Sequence, residues 1–251
     1  MTGSRKLQKL NQEVELDVER RGEANSAIPA GIAEQVLNWR KDSIDPKARL
    51  RQVPPKAWRR YFPAEIEVLA ELSWSKNGAI SIDDLQALSN SDIGNRELFI
   101  ATLMWGRGPK NGRMMPFFRF VLAHPAIDET LSKTRAEILE GRPEGAYRLW
   151  RESGIKWIHE PWFTKWFFVC GLGEKRCGLQ PLVLDGRVWR SLKALKWPNQ
   201  ERAGKKISRD RASVYLEYLT TIHLWANEIS RKGLVTPLEV EQFLFDKDGK
   251  F

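Results

Sequence analysis

The chain has 251 residues, 42% hydrophobic and 29% charged, a globular balance that argues against wholesale disorder. Its formal net charge of +9 points toward a polyanionic partner. No apolar run nears the ~20 residues that span a bilayer, and two cysteines with three histidines cannot supply the four-ligand set of a zinc or iron–sulfur site.

Residues 1–27 are polar and charged without a sustained apolar stripe, and read as an extension outside the core. IPAGIAEQVLNWR, residues 28–40, places Ile32, Val36 and Trp39 near helical spacing. Residues 45–63 are basic and proline-punctuated, a loop with short turns. Helices are expected over residues 63–74, from Ser81 with its acidic first turn, over 95–105, and over 115–123, 128–139 and 144–153. The glycine-rich, basic GRGPKNGR that follows Trp105 reads as flexible. Further on, residues 186–195 form a helix, and Tyr215, Leu219, Ile222, Ala226 and Ile229 mark a long amphipathic one over 209–232. Thr236-Pro237-Leu238-Glu239 is a capping box that opens the last helix. Nothing alternates with period two, so the fold class is all-α.

The positive charge is clustered. Lys193, Lys196, Arg202, Lys205, Lys206, Arg209 and Arg211 form one group, and Lys41, Lys47, Arg49, Arg51, Lys56, Arg59 and Arg60 a second. Such patches neutralise phosphates and release their counterions.

Between Gly154 and Leu195 the chain runs GIKWIHEPWFTKWFFVCG, a basic connector, then QPLVLDGRVWRSLKAL. This is a turn, an aromatic helix apolar nearly all round, a loop, a short apolar run ending in Asp185, and another helix. A lysine inside so apolar a helix is costly to bury, so Lys165 either snorkels outward or faces a functional cleft. Asp185 can cap the helix that follows it, as aspartate does well.

Thr164-Lys165 followed by Leu184-Asp185-Gly186-Arg187-Val188 resembles the core of the helix-hairpin-helix DNA glycosylases, most closely their 8-oxoguanine-glycosylase-like branch. The resemblance covers about 40 residues well. It implies two helical subdomains flanking a cleft, here residues 28–145 and 146–251, acting as a monomer on double-stranded DNA. It also implies a cytoplasmic, nucleoid-associated protein that needs no membrane, metal or cofactor. The family's Gly-Ile-Gly hairpin, which grips a DNA phosphate, falls on Trp157, Ile158 and His159. Both glycines are replaced and the nearest, Gly154, lies three residues early. The grip is then either rebuilt around His159 and the Trp157 indole, or Trp157 and Ile158 are core residues. Thr164 and Arg187 complete the DNA contacts implied.

The chemistry implied is cleavage of an N-glycosidic bond. A carboxylate at Asp185 would stabilise the positive charge that develops on the sugar, or orient the attacking water. Bifunctional members use a lysine to attack C1′; aligned through Thr164, that position falls on Phe163. Water is therefore the expected nucleophile, with Lys165 the alternative. A flipped base needs aromatic walls, for which Trp105, before the glycines, and Phe163 are the candidates. The base could be an oxidised purine such as 8-oxoguanine or a phage-type modified base, the latter implying antiviral defence. A second hypothesis keeps the scaffold as a non-catalytic DNA-binding or lesion-sensing protein, which the missing hairpin glycines favour.

Overall fold

The computed structural model describes residues 27–43, 45–47, 49–53, 58–70, 78–107, 115–173, 178–198 and 211–251. Among them lie eleven helices and one two-residue antiparallel strand pair, so the fold is all-α. In chain order they are α1 (Ile32–Asp42), β1 (Arg51–Gln52), α2 (Pro63–Ala70), β2 (Ala79–Ile80), α3 (Ile82–Asn90), α4 (Asn95–Arg107), α5 (Met115–Leu122) and α6 (Ile127–Leu139). Then follow α7 (Pro143–Glu152), α8 (Glu160–Cys170), α9 (Gly186–Ala194), α10 (Arg211–Ser230) and α11 (Pro237–Lys247). The strands pair Arg51 with Ile80 and Gln52 with Ala79, too short a ladder to leave an alternation in the sequence.

Local chemistry sets the helix ends. Ser81 and Asp84 form a reciprocal capping box on α3, and Thr236 and Glu239 form another on α11. Each box satisfies two backbone donors that a helix start would otherwise leave bare. α1 begins at Ile32, later than the residue 28 expected. Pro29 and the left-handed Gly31, at φ 78, make a turn first, closed by Ile32 N–H to the Pro29 carbonyl at 3.1 Å. α4 in turn runs on through Gly106 and Arg107, two residues expected to be flexible.

The chain forms two compact units. One contains α2 to α8 with both strands and ends in the segment Pro181–Asp185. Its centre is α8, which packs against α3, α4, α6 and α7. The apolar sequence of α8 buries Phe163, Trp166, Phe167, Phe168 and Val169 on several sides at once. Each fully buried large apolar side chain contributes about 1.5–3 kcal/mol by leaving water. The rings also meet in favourable edge and stacked pairs, such as Phe99–Trp166 at 5.6 Å and 86°. The buried Trp166 indole donates to Thr134 Oγ1 at 3.0 Å, so its one polar group is satisfied.

The other unit contains α1, α9, α10 and α11. α11 packs against α1, α9 and α10. Ser191 on α9 donates to the Leu244 carbonyl of α11 at 2.6 Å, and Arg190 donates to Asp248 at 2.5 Å. The expected subdomain limit at residue 145 falls inside α7. No helix among the described residues is long and apolar enough to cross a membrane.

Candidate active site

Thr164 organises the site. Its side chain is fully buried one turn into α8. The hydroxyl donates to the Glu160 carbonyl at 2.7 Å and accepts the Leu184 N–H at 3.2 Å. The second bond joins two stretches 20 residues apart and fastens the Pro181–Leu184 segment to the helix. That segment is anchored further by the buried side chains of Leu182, Val183 and Leu184. One residue beyond each partner of this bond stands a candidate catalytic group: Lys165 after Thr164, and Asp185 after Leu184. Both are half-buried, a position open enough to meet a substrate.

Lys165 does not reach straight out of α8. Its stem lies across α4 at Gly106, where a Cβ would stand 2.5 Å from Lys165 Cδ and 3.3 Å from Trp162 Cζ3. A side chain at position 106 would force the Lys165 stem to shift. The ammonium donates to the Pro161 carbonyl at 3.0 Å and sits 5.5 Å from the centre of the Trp162 ring. Asp185 ends its unit and directly precedes α9.

The hairpin between α7 and α8 keeps a glycine-like backbone without the glycine. Trp157 has φ 72, in the left-handed region that costs a bulky residue about 1–2 kcal/mol. Gly154 takes the same region at φ 73 with open space around it. The Trp157 ring is 53% exposed and meets Phe117 at 5.3 Å, so it is a surface group and not part of the core. Ile158, by contrast, is buried. His159 is exposed and occupies the N-cap of α8 in extended conformation, with no side-chain cap bond.

The two aromatic residues expected to hold a base are packed inside the protein. Phe163 is 1% exposed, wedged against Tyr147 at 5.0 Å, Trp150 at 5.8 Å and Phe167 at 5.5 Å. Trp105 is 6% exposed and stacks on Phe168 at 5.7 Å and 21°. The reason is helical phase: Phe163 faces the α7 rings Tyr147 and Trp150, and Trp105 faces Phe168 of α8. Arg187 lies in the other unit, half-exposed, with its guanidinium 4.7 Å from the Phe245 ring and its Nε 3.9 Å from Asp248.

Three further rings form a row that sequence reasoning missed, with Trp58 and Phe118 fully buried and Trp162 half-buried. Trp58 stacks on Phe118 at 6.0 Å and 17°, and Phe118 meets Trp162 edge-on at 5.0 Å. Arg107 covers the Trp58 end, its guanidinium 5.6 Å from the ring centre. Arg107 Nε is buried without a hydrogen-bond partner, and burial holds the guanidinium below its ordinary pKa. The only available signal was Gly106, a small residue in phase with the apolar face of α4 and followed by a cation.

Of the two basic clusters, Lys41, Lys47, Arg59, Arg60, Lys193 and Lys196 are exposed. Lys56, Arg202, Lys205, Lys206 and Arg209 lie outside the described residues. Among the described residues no group of three or more His, Cys, Asp or Glu side chains gathers as a metal site would.

Residues 46–245 match the model of a family described as "Putative 8-oxoguanine DNA glycosylase OGG-like protein". Neither a curated protein nor a solved structure matches the chain.

Proposed function

Since this chain belongs to the OGG-like 8-oxoguanine DNA glycosylase family, we propose that it excises a damaged or modified base from double-stranded DNA and leaves an abasic site. The observation that carries this reading is the Thr164–Leu184 hydrogen bond, which sets Asp185 and Lys165 one residue from a common anchor. The substrate class is an oxidised purine, with a bulkier phage-type base as the other arm of a substrate panel.

In the reaction, the C1′–N bond lengthens and positive charge collects on the sugar. The Asp185 carboxylate lies against that charge and aligns the water that adds to C1′, taking the proton the water gives up, while the electron pair of the broken bond leaves with the base. The Lys165 ammonium supplies a fixed cation for the DNA beside it. A glycosylase of this kind is hydrolytic and monofunctional. Asp185→Asn should abolish abasic-site formation on lesion-bearing or modified genomic DNA while leaving DNA binding within about threefold. Binding by wild type with no abasic site on any substrate would sink the reading in favour of a lesion-sensing protein.

A second reading, favoured by the same hydrogen bond, makes Lys165 the nucleophile. The Phe163 side chain that occupies the aligned position is buried among other rings, whereas the Lys165 amine is half-exposed one residue from the anchor. In that case the amine, having shed its ammonium proton, attacks C1′ as the base leaves with the C1′–N electron pair; the C1′–O4′ bond then opens, O4′ taking a proton from the nitrogen, to leave a Schiff base that borohydride traps. A trapped adduct lost in Lys165→Ala decides for the lyase; no adduct on an excised substrate decides for water.

A further inference from the structure

Resting on the reading above, we propose that Arg107 forms a binding site for one phosphodiester group of the DNA, with Lys165 as its neighbouring cation. Burying a guanidinium in apolar surroundings is unfavourable unless an anion or acceptor meets it. Arg107 has neither among the described residues. Its Nε is sealed from water without a hydrogen-bond partner, and its guanidinium lies over the Trp58 ring instead of against a carboxylate. Burial alone is what lowers its affinity for its proton.

The surroundings fix the cation in place. The strip Trp58–Phe118–Trp162 carries Arg107 at one end and Lys165 at the other. Gly106 lets the Lys165 stem lie directly on the residue before Arg107. A guanidinium carries a planar fork of N–H donors, and that fork matches two oxygens of a phosphodiester. Lys165 follows the Thr164 anchor, so the phosphodiester belongs close to the reacting nucleotide.

The test is equilibrium binding of the full chain to a short duplex carrying a tetrahydrofuran abasic-site analogue, measured across salt concentrations. Arg107→Met should flatten the slope of log K against log salt by about one and weaken binding about tenfold at low salt. Arg107→Lys should keep most of the slope. The melting temperature of Arg107→Met should hold or rise, because an uncompensated cation has been removed. A scan of wild type with single neutral methylphosphonate linkages needs no variant. One linkage should cost wild type about tenfold and cost Arg107→Met nothing.

A slope unchanged in Arg107→Met, or no such linkage, overturns the proposal. Abasic-site formation is scored on the same preparations. Wild type that passes the binding test but excises nothing keeps the phosphodiester site and loses the glycosylase reading. Wild type that excises a base with binding indifferent to Arg107→Met does the reverse.

Discussion

Thr164 carries one methyl and one hydroxyl, and the hydroxyl both closes a turn of α8 and holds the Leu184 N–H. Thr164→Val keeps the volume and removes the acceptor, leaving a buried donor unmet at a cost of about 1–3 kcal/mol. The expected result is a lower melting temperature and abasic-site formation that falls further than DNA binding does. Thr164→Ser should restore both; equal behaviour of the serine and valine variants would show that the hydroxyl is not what matters. At this scale the sequence was only partly legible. The order Thr-Lys, then Leu-Asp, marked the anchored pair of segments. Spacing along a chain cannot say which face of a helix a ring takes, and for that reason Phe163 and Trp105 looked like pocket walls while their side chains are core. The same limit hid the strip of Trp58, Phe118 and Trp162, whose members come from three separate stretches.

Individual elements were easier to read, because caps and period are local. The boxes at Ser81 and Thr236 are written in four consecutive residues each, and the structure forms both. Boundaries set by contacts were not legible, as with α4 continuing past Trp105 to Gly106, a glycine whose reason is a lysine 59 positions later. The α9–α11 pairing gives a prediction at this scale. Asp248, left-handed at φ 51 after α11, accepts from Arg190 at 2.5 Å with Arg187 nearby. The Arg190 hydrogen bond, more than any other influence, holds the Asp248 carboxyl below its ordinary range. A carboxyl whose folded pKa is depressed adds stability above its unfolded value of about 3.9, and loses it as pH falls through the folded value. Asp248→Asn should therefore be less stable than wild type near neutrality, with the gap closing below about pH 4. Denaturant titrations at several pH values measure it; a gap that widens in acid would refute the pairing.

For the whole molecule, a net charge of +9 makes association with DNA a question of counterions. Wild-type affinity should fall linearly on logarithmic axes as salt rises, with a slope of about −0.9 for each phosphate neutralised. Affinity indifferent to salt would remove the polyanion argument on which the composition first rested. Composition and apolar patterning sufficed for the all-α class, since burial of a stripe every 3.6 residues is a property of each helix alone. Which elements gather into a unit depends on contacts distant in sequence, and patterning carries little of that. One surface detail has a use of its own. Among the described tryptophans Trp157 alone is exposed, on the turn that leads into α8. A collisional quencher such as iodide will reach that indole before the others, so the native chain carries an intrinsic optical reporter at its hairpin, and occupancy by a ligand can be followed through shielding of the emission without attaching a dye.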